Sequence, residues 1–263
     1  MTARREPLRR GERSARVEGL TSDAWYTLFS ISPAERLRLA QRRRRIWAEP
    51  LLRHGFSRAE ALALLERRDR WTRAEEANGR TPHIAEQLRE LARWSGAPIP
   101  EDDLVARLDA TLLKAKLTLA PGAAQAVRSL DDAGIPLAIV SNVLNESGHA
   151  ARTILERMGL LVRFRAVVLS CEHPFAKPAA GPFVLAARFL GLPPGRIAHV
   201  GDLGYDLLGA RRAGMHAWWY VGLRRWNRYL PGQVAPGSVR SSETFAAWSE
   251  IPRRFGLARR AHA

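Results

Sequence analysis

Residues 197–221 read "IAHVGDLGYDLLGARRAGMHAWWYV". A short apolar run, "IAHV", meets a glycine and a carboxylate; "YDLLGARRAG" carries helical spacing to Gly214; "AWWYV" is apolar again. That is strand, helix, strand, and strands apolar on both faces belong to a parallel sheet covered by helices on both sides. The alternation extends upstream to Pro121-Gly122. "AAQAVRSLDDAG" (123–134) is an amphipathic helix, "IPLAIVSN" (135–142) a buried strand and "ESGHAARTILERMGL" (146–160) a helix. "AVVLS" (166–170) is a strand and "GPFVLAARFLG" (181–191) a helix. The expected fold class is α/β, a doubly wound parallel sheet of Rossmann-like type.

Further upstream the texture changes, and residues 31–118 read as helices only. Ser32, Pro33 and Glu35 make an N-cap, a first-turn proline and a capping box, and Ser57 with Glu60 repeat the device before a stop at Asn78-Gly79. A third helix follows Thr81-Pro82 and ends at Gly96; a fourth runs from about Glu101 to Lys114 with Leu104, Leu108, Leu112 and Leu113 on one side. Before them, residues 17–22 form a weakly written strand, because Glu18, Thr21 and Ser22 are polar where a central strand should be apolar. The simplest architecture joins this strand to the later sheet and inserts the all-helical module between them. The expected division is a basic, disordered lead-in over 1–16, a core over 17–30 and 119–240, the helical insertion over 31–118, and a C-terminal helix with a basic tail over 241–263.

A chain of 263 residues, 46% of them hydrophobic, buries a substantial core. No stretch nears 18 consecutive apolar residues, so a membrane span is not expected, and the first 17 residues hold no run that reads as a secretory signal. The single cysteine, Cys171, excludes an intramolecular disulfide and fits a cytoplasmic setting. A net charge of +16 raises the question of nucleic acid. Yet only Lys114, Lys116 and Lys177 are lysines, and the arginines are scattered apart from 42–45 and the termini. That pattern fits compositional bias and solvated surface charge, and nucleic acid is not the expected partner.

In such a sheet, ligands bind beyond the carboxyl ends of the strands. Those ends carry Asp23, then Ser141 and Asn142, then Asp202 with Asp206 four residues on, while Lys177 follows the strand at 166–170 after a short loop. Carboxylates, a hydroxyl and an ammonium gathered there make a site for a hard cation and an anion.

"SDAWYTLF", "LAIVSN", "FAKPAAGPF" and "HVGDLGYDLLGARRAGM" stand in that order, each at the end of a strand, and together resemble the four motifs of the haloacid dehalogenase-like (HAD) hydrolase superfamily. The resemblance covers about Val17 to Val221 and is to members with a helical cap inserted after the first strand. It implies a nucleophile at Asp23 and phosphate contacts from Thr27, Ser141, Asn142 and Lys177. It implies Mg²⁺ on Asp23, the backbone carbonyl of Trp25, Asp202 and Asp206, and a small anionic, phosphorylated substrate. Asp206 could instead be only a helix cap, and Ser141 and Asn142 only turn residues.

One position departs from the pattern. Phosphatases of the superfamily carry a second Asp two residues after the nucleophile as acid and base; here Trp25 stands there, and indole exchanges no proton at neutral pH. Haloacid dehalogenases resemble the chain at that position, but they replace the acidic pair that 202 and 206 retain. The expectation is a Mg²⁺-dependent phosphatase using a good leaving group, or an acid supplied by substrate or cap. A carbon-halide hydrolase and a non-catalytic binding protein are the alternatives. Trp25 is expected to pack against the cap, and Trp218, Trp219 and Tyr220 to build the last strand. His173 could donate a proton from its loop but reads as solvated, Cys171 is expected to be inert, and Arg36, Arg38 and the 42–45 run could bind an anionic substrate tail.

Overall fold

The computed structural model describes residues 16–99, 103–223 and 241–257. The lead-in over 1–15, the start of the fourth helix at 101, residues 224–240 and the basic tail from 258 lie outside the described residues. Among the described residues, six strands form one sheet: β1 (Gly19–Ser22), β4 (Leu137–Ser141), β5 (Ala166–Leu169), β6 (Ile197–Gly201), β7 (His216–Tyr220) and β8 (Thr244–Phe245). The order is β5-β4-β1-β6-β7-β8, and every neighbouring pair is parallel. The chain leaves β1 toward β4 and β5 on one side and returns to fill β6, β7 and β8 on the other, so β1 is the switch point where an α/β sheet opens its crevice.

The helices between these strands are α5 (Ala123–Asp132), α6 (Gly148–Arg157), α7 (Gly181–Leu190) and α8 (Gly204–Arg212). Each follows from its apolar spacing. In α7, Phe183, Ala186, Ala187 and Leu190 recur at helical intervals, and all are buried with Ala138, Val140 and Val168 of the sheet. Burying a side chain such as Phe183 stabilises the fold by about 1.5–3 kcal/mol. The opposite face packs Val127, Leu130, Ile154 and Leu155 of α5 and α6 with Leu20, Ile139, Val200 and Trp248.

The first strand begins two residues later than expected and is buried throughout despite its polar residues. Thr21 Oγ1 lies 2.9 Å from His199 Nδ1, and Ser22 Oγ donates to the Asp23 carbonyl at 2.7 Å, so the interior position costs them no hydrogen bond.

Between β1 and β4 stand four helices: α1 (Pro33–Arg53), α2 (Arg58–Ala77), α3 (Ile84–Ser95) and α4 (Leu104–Leu113). They hold a core of their own around Trp47, Leu51, Leu65, Leu91 and Leu108. The capping box at Ser57 and Glu60 is complete, whereas at Ser32 only half forms, because the Glu35 carboxylate turns to Arg38 at 2.7 Å. Helix α3 starts at Ile84 with His83 as N-cap, three residues after Thr81.

The stretch 31–118 is not helical throughout. Its ends are β2 (Phe29–Ile31) and β3 (Leu117–Leu119), an antiparallel pair through which the chain leaves and rejoins the sheet region. The expected C-terminal helix is shorter than the sequence implied: α9 covers Ile251–Arg254, preceded by strand β8. Trp248, fully buried between them, donates its indole N–H to the Thr27 carbonyl at 2.8 Å.

Candidate active site

The loop after β1 carries Asp23, which is 5% exposed, and its amide donates to the Val200 carbonyl at 2.8 Å, locking the turn onto β6. Gly201 ends β6, and no larger residue fits there: a Cβ would lie 2.2 Å from Asp206 Cγ. The Asp206 carboxylate also caps the start of α8 by accepting from the Leu203 amide at 2.9 Å. The cap uses Asp206 Oδ2 and leaves Oδ1 facing Lys177. Lys177, 4% exposed, reaches in from the loop after β5 and donates to Asp23 Oδ1 at 2.6 Å and to Asp206 Oδ1 at 2.7 Å. Thr27 donates to Asp202 Oδ1 at 3.3 Å. Asp23, Asp202 and Asp206 each offer an oxygen within 4.8 Å of the others.

Burial sets the electrostatics. It raises Asp23 above its ordinary carboxylate range, with Lys177 pulling the other way. It raises Asp202 well above that range, reinforced by the charges of Asp206 and Asp23. For Asp206 burial is outweighed by Lys177 and His199, which hold the carboxyl low. Burial opposes the charge on Lys177 too, but Asp206 and Asp23 keep the ammonium protonated above its usual range. Three hard oxygen donors converging here, one of them reluctant to ionise beside the other two, fit a divalent cation of the Mg²⁺ type.

Ser141 is buried at the end of β4, and its hydroxyl meets no hydrogen-bond partner among the described residues. Asn142 uses its side chain to hold the main chain of Lys177, accepting from its amide at 2.9 Å and donating to its carbonyl at 3.0 Å. Trp25 packs edge-on against Phe29, ring centroids 4.9 Å apart, beside a cavity of about 10 Å³, near the room of one water. Trp25 thus sits on β2, packed against a cluster that also holds Leu39 of α1 and Leu112 of α4.

Across residues 20–214, the chain matches the model of the haloacid dehalogenase-like hydrolase family. The chain belongs to that family. A phosphoglycolate phosphatase of Chromobacterium violaceum is 32% identical over 100 residues, which span 38% of this hydrolase and 44% of that protein's length. Among solved structures, an HAD phosphatase from Thermococcus onnurineus is similar with a TM-score of 0.61 at 20% identity, covering 92% of this chain and 100% of that one. A 2-haloacid dehalogenase from Pseudomonas syringae pv. Tomato DC3000 gives 0.63 at 20% identity, covering 91% and 98%. These two likenesses speak for the fold.

Two residues of this haloacid dehalogenase-like hydrolase were missed by sequence reasoning. His199, fully buried on β6, lies 3.2 Å from Asp206 Oδ1 and is kept below its ordinary pKa by burial. A polar residue inside the apolar run "IAHV" was its signal. Glu76, near the end of α2, brings Oε1 to 3.5 Å from Asn142 Nδ2, and nothing in the local sequence announced it.

The weaker candidates stand apart from the carboxylates. Cys171 is pushed up to about 12, mainly by burial, and is inert as a thiolate. His173 stacks on Phe175 at 5.5 Å. Arg38 is bound to Glu35, Arg43 to Glu146 and Arg44 to Glu66, so these three members of the proposed arginine set are spent on ion pairs. No described helix is long and apolar enough to cross a membrane.

Proposed function

We propose that this hydrolase is a Mg²⁺-dependent phosphatase that cleaves a small phosphorylated metabolite through an aspartyl-phosphate on Asp23. The observation that carries the reading is the trio Asp23, Asp202 and Asp206, with oxygens within 4.8 Å of one another. Such a cluster repels a haloacid anion, and it suits a cation that in turn attracts phosphate. Asp23, the Trp25 carbonyl, Asp202 and Asp206 would hold Mg²⁺. When bound, the metal supplies Lewis-acid neutralisation of the phosphoryl charge.

The protein's own groups do the rest. Thr27, the Ser141 hydroxyl, the Asn142 N–H and the Lys177 ammonium orient the phosphoryl oxygens and stabilise charge as it develops. The buried Ser141 hydroxyl supports this role, since a hydroxyl left unpaired costs about 1–3 kcal/mol and a phosphoryl oxygen would relieve that. Asp23 attacks phosphorus, the bond to the leaving oxygen breaks, and water then releases phosphate and regenerates Asp23. The helices within 31–118 act as a cap that excludes water and chooses the leaving group, over a core of 17–30 and 119–240. Likeness to the Chromobacterium violaceum enzyme makes phosphoglycolate a candidate substrate, alongside acyl and phenolic phosphates. The single cysteine supports a cytoplasmic setting, and the scattered arginines argue against a nucleic-acid partner.

Trp25 favours a second reading, hydrolysis of a carbon-halide bond, because no proton is available at that position. Para-nitrophenyl phosphate, assayed with and without Mg²⁺ and alongside Asp23→Asn, separates the two. We expect Mg²⁺-dependent turnover that the variant lacks. No turnover by the native protein, with halide release from 2-haloacids, would establish the second reading, and silence in both assays would favour a non-catalytic fold.

A further inference from the structure

The loop bearing Asp23 contains no second carboxyl to protonate a leaving group: position 25 is indole, and its ring is packed on Phe29. A carboxyl acid has to come from another element, and helix α2 ends on the loop that carries Lys177. Its stop residue Gly79 accepts a hydrogen bond from the Ala176 amide at 2.6 Å, one residue before Lys177. Gly79 has φ +82°, and a Cβ there would lie 2.9 Å from Ala179 Cβ, so the helix end sits tightly on the Lys177 loop. Glu76, less than one turn earlier, points its carboxyl at Asn142, whose amide clasps the Lys177 main chain and whose neighbour is Ser141.

The other carboxylates nearby are committed. Glu75 pairs with Arg80 at 2.8 Å, Glu146 with Arg43 at 2.8 Å, and Glu172 with Arg152. Glu76 meets the neutral Asn142 amide, in a chain rich in arginine. Burial raises its pKa, against the Asn142 hydrogen bond and the charges of Lys177 and Arg73. Its place in the last turn of α2 adds the negative end of the helix dipole, which also disfavours the carboxylate.

We propose that Glu76 is the acid and base of the reaction, delivered by the helical insertion in place of the residue missing from the nucleophile's loop. The proposal rests on the phosphatase reading. In the first step Asp23 Oδ bonds to phosphorus, the phosphorus–oxygen bond to the leaving group breaks, and its electron pair takes the proton of Glu76, releasing an alcohol. In the second, water bonds to phosphorus and gives a proton to the Glu76 carboxylate. The Asp23–phosphorus link breaks with its electron pair returning to Asp23, and phosphate departs. One ester and one water yield one alcohol and one phosphate. An acid in this position extends the substrate class to ordinary alkyl phosphates, whose leaving groups need a proton.

The test compares Glu76→Gln and Glu76→Asp with the native protein on glycerol phosphate and on para-nitrophenyl phosphate, with Mg²⁺ present. For Glu76→Gln we expect kcat/KM, which reports leaving-group departure, to fall by about 10²- to 10⁴-fold on the alkyl ester and far less on the nitrophenyl ester, with loss of the basic limb of its pH profile; kcat should fall on both esters, because both pass through the same aspartyl-phosphate. Glu76→Asp should retain part of the alkyl activity, which guards against misfolding as the cause. Equal losses of kcat/KM on both esters, or a rise in KM with kcat unchanged, would overturn the proposal and make Glu76 a positioning residue. Activity on the nitrophenyl ester that Asp23→Asn abolishes keeps the phosphatase reading intact in that event; absence of any turnover by the native protein removes both.

Discussion

Lys177 holds two buried carboxylates on one ammonium, 2.6 Å from Asp23 and 2.7 Å from Asp206. Removing one partner of such a group leaves uncompensated buried charge, at a cost of about 3–5 kcal/mol. Lys177→Met should therefore lower stability in urea by that order as well as abolish turnover. Adding Asp206→Asn should restore part of the stability but none of the activity. A Lys177→Met protein as stable as the native one would show that the carboxyls share protons instead of the ammonium. At this scale, the positions of Asp23, Ser141, Lys177, Asp202 and Asp206 were legible because strand ends and motif order both mark them. His199 and Glu76 were not. His199 matters through its partner on α8, and Glu76 through the docking of a helix end whose direction no local pattern encodes.

Helix α2 shows how an element's ending can do more than stop it. The Asn78-Gly79 signal was readable as a C-terminus, and the turn does adopt φ +82° at Gly79. What it touches was not readable. Gly79→Ala meets two penalties, a left-handed backbone costing about 1–2 kcal/mol for an L side chain and a methyl pressed on Ala179. Thermal unfolding should report a loss of at least that size, with activity falling further as α2 is lifted from the Lys177 loop; a neutral variant would mean the helix end is free to shift. Helical spacing found the long helices and apolar runs found β4, β5, β6 and β7, whereas β1, polar at Thr21 and Ser22, was only weakly written. The strands β2, β3 and β8 have two or three residues each, and that is too few for a period to register.

Across the whole molecule, the inserted helices sit on the loop that follows β4. Arg43 pairs with Glu146 at 2.8 Å, Gln87 Nε2 donates to the Leu144 carbonyl at 2.8 Å, and Asp109 accepts from the Ser147 amide at 2.8 Å and its hydroxyl at 2.6 Å. Arg43→Met breaks one of these and leaves Glu146 buried without its ion partner. Amide exchange in 143–147 should then quicken about tenfold, equivalent to about 1.4 kcal/mol, with helical content unchanged. Unaltered exchange would show that Arg43 is not part of the seat. The α/β class was legible because many strands repeat the same signature, while the mode of seating was not, since it joins positions far apart in the chain. The same distance acts during synthesis. β1 is made first yet lies in the middle of the sheet, and Leu20 pairs with Leu137, over a hundred positions later. At about 5–20 residues per second, the strand waits on the order of ten seconds for its first neighbour to leave the ribosome. The hydroxyls of Thr21 and Ser22, a flaw in a strand viewed as finished structure, keep that waiting segment less adhesive until it is enclosed.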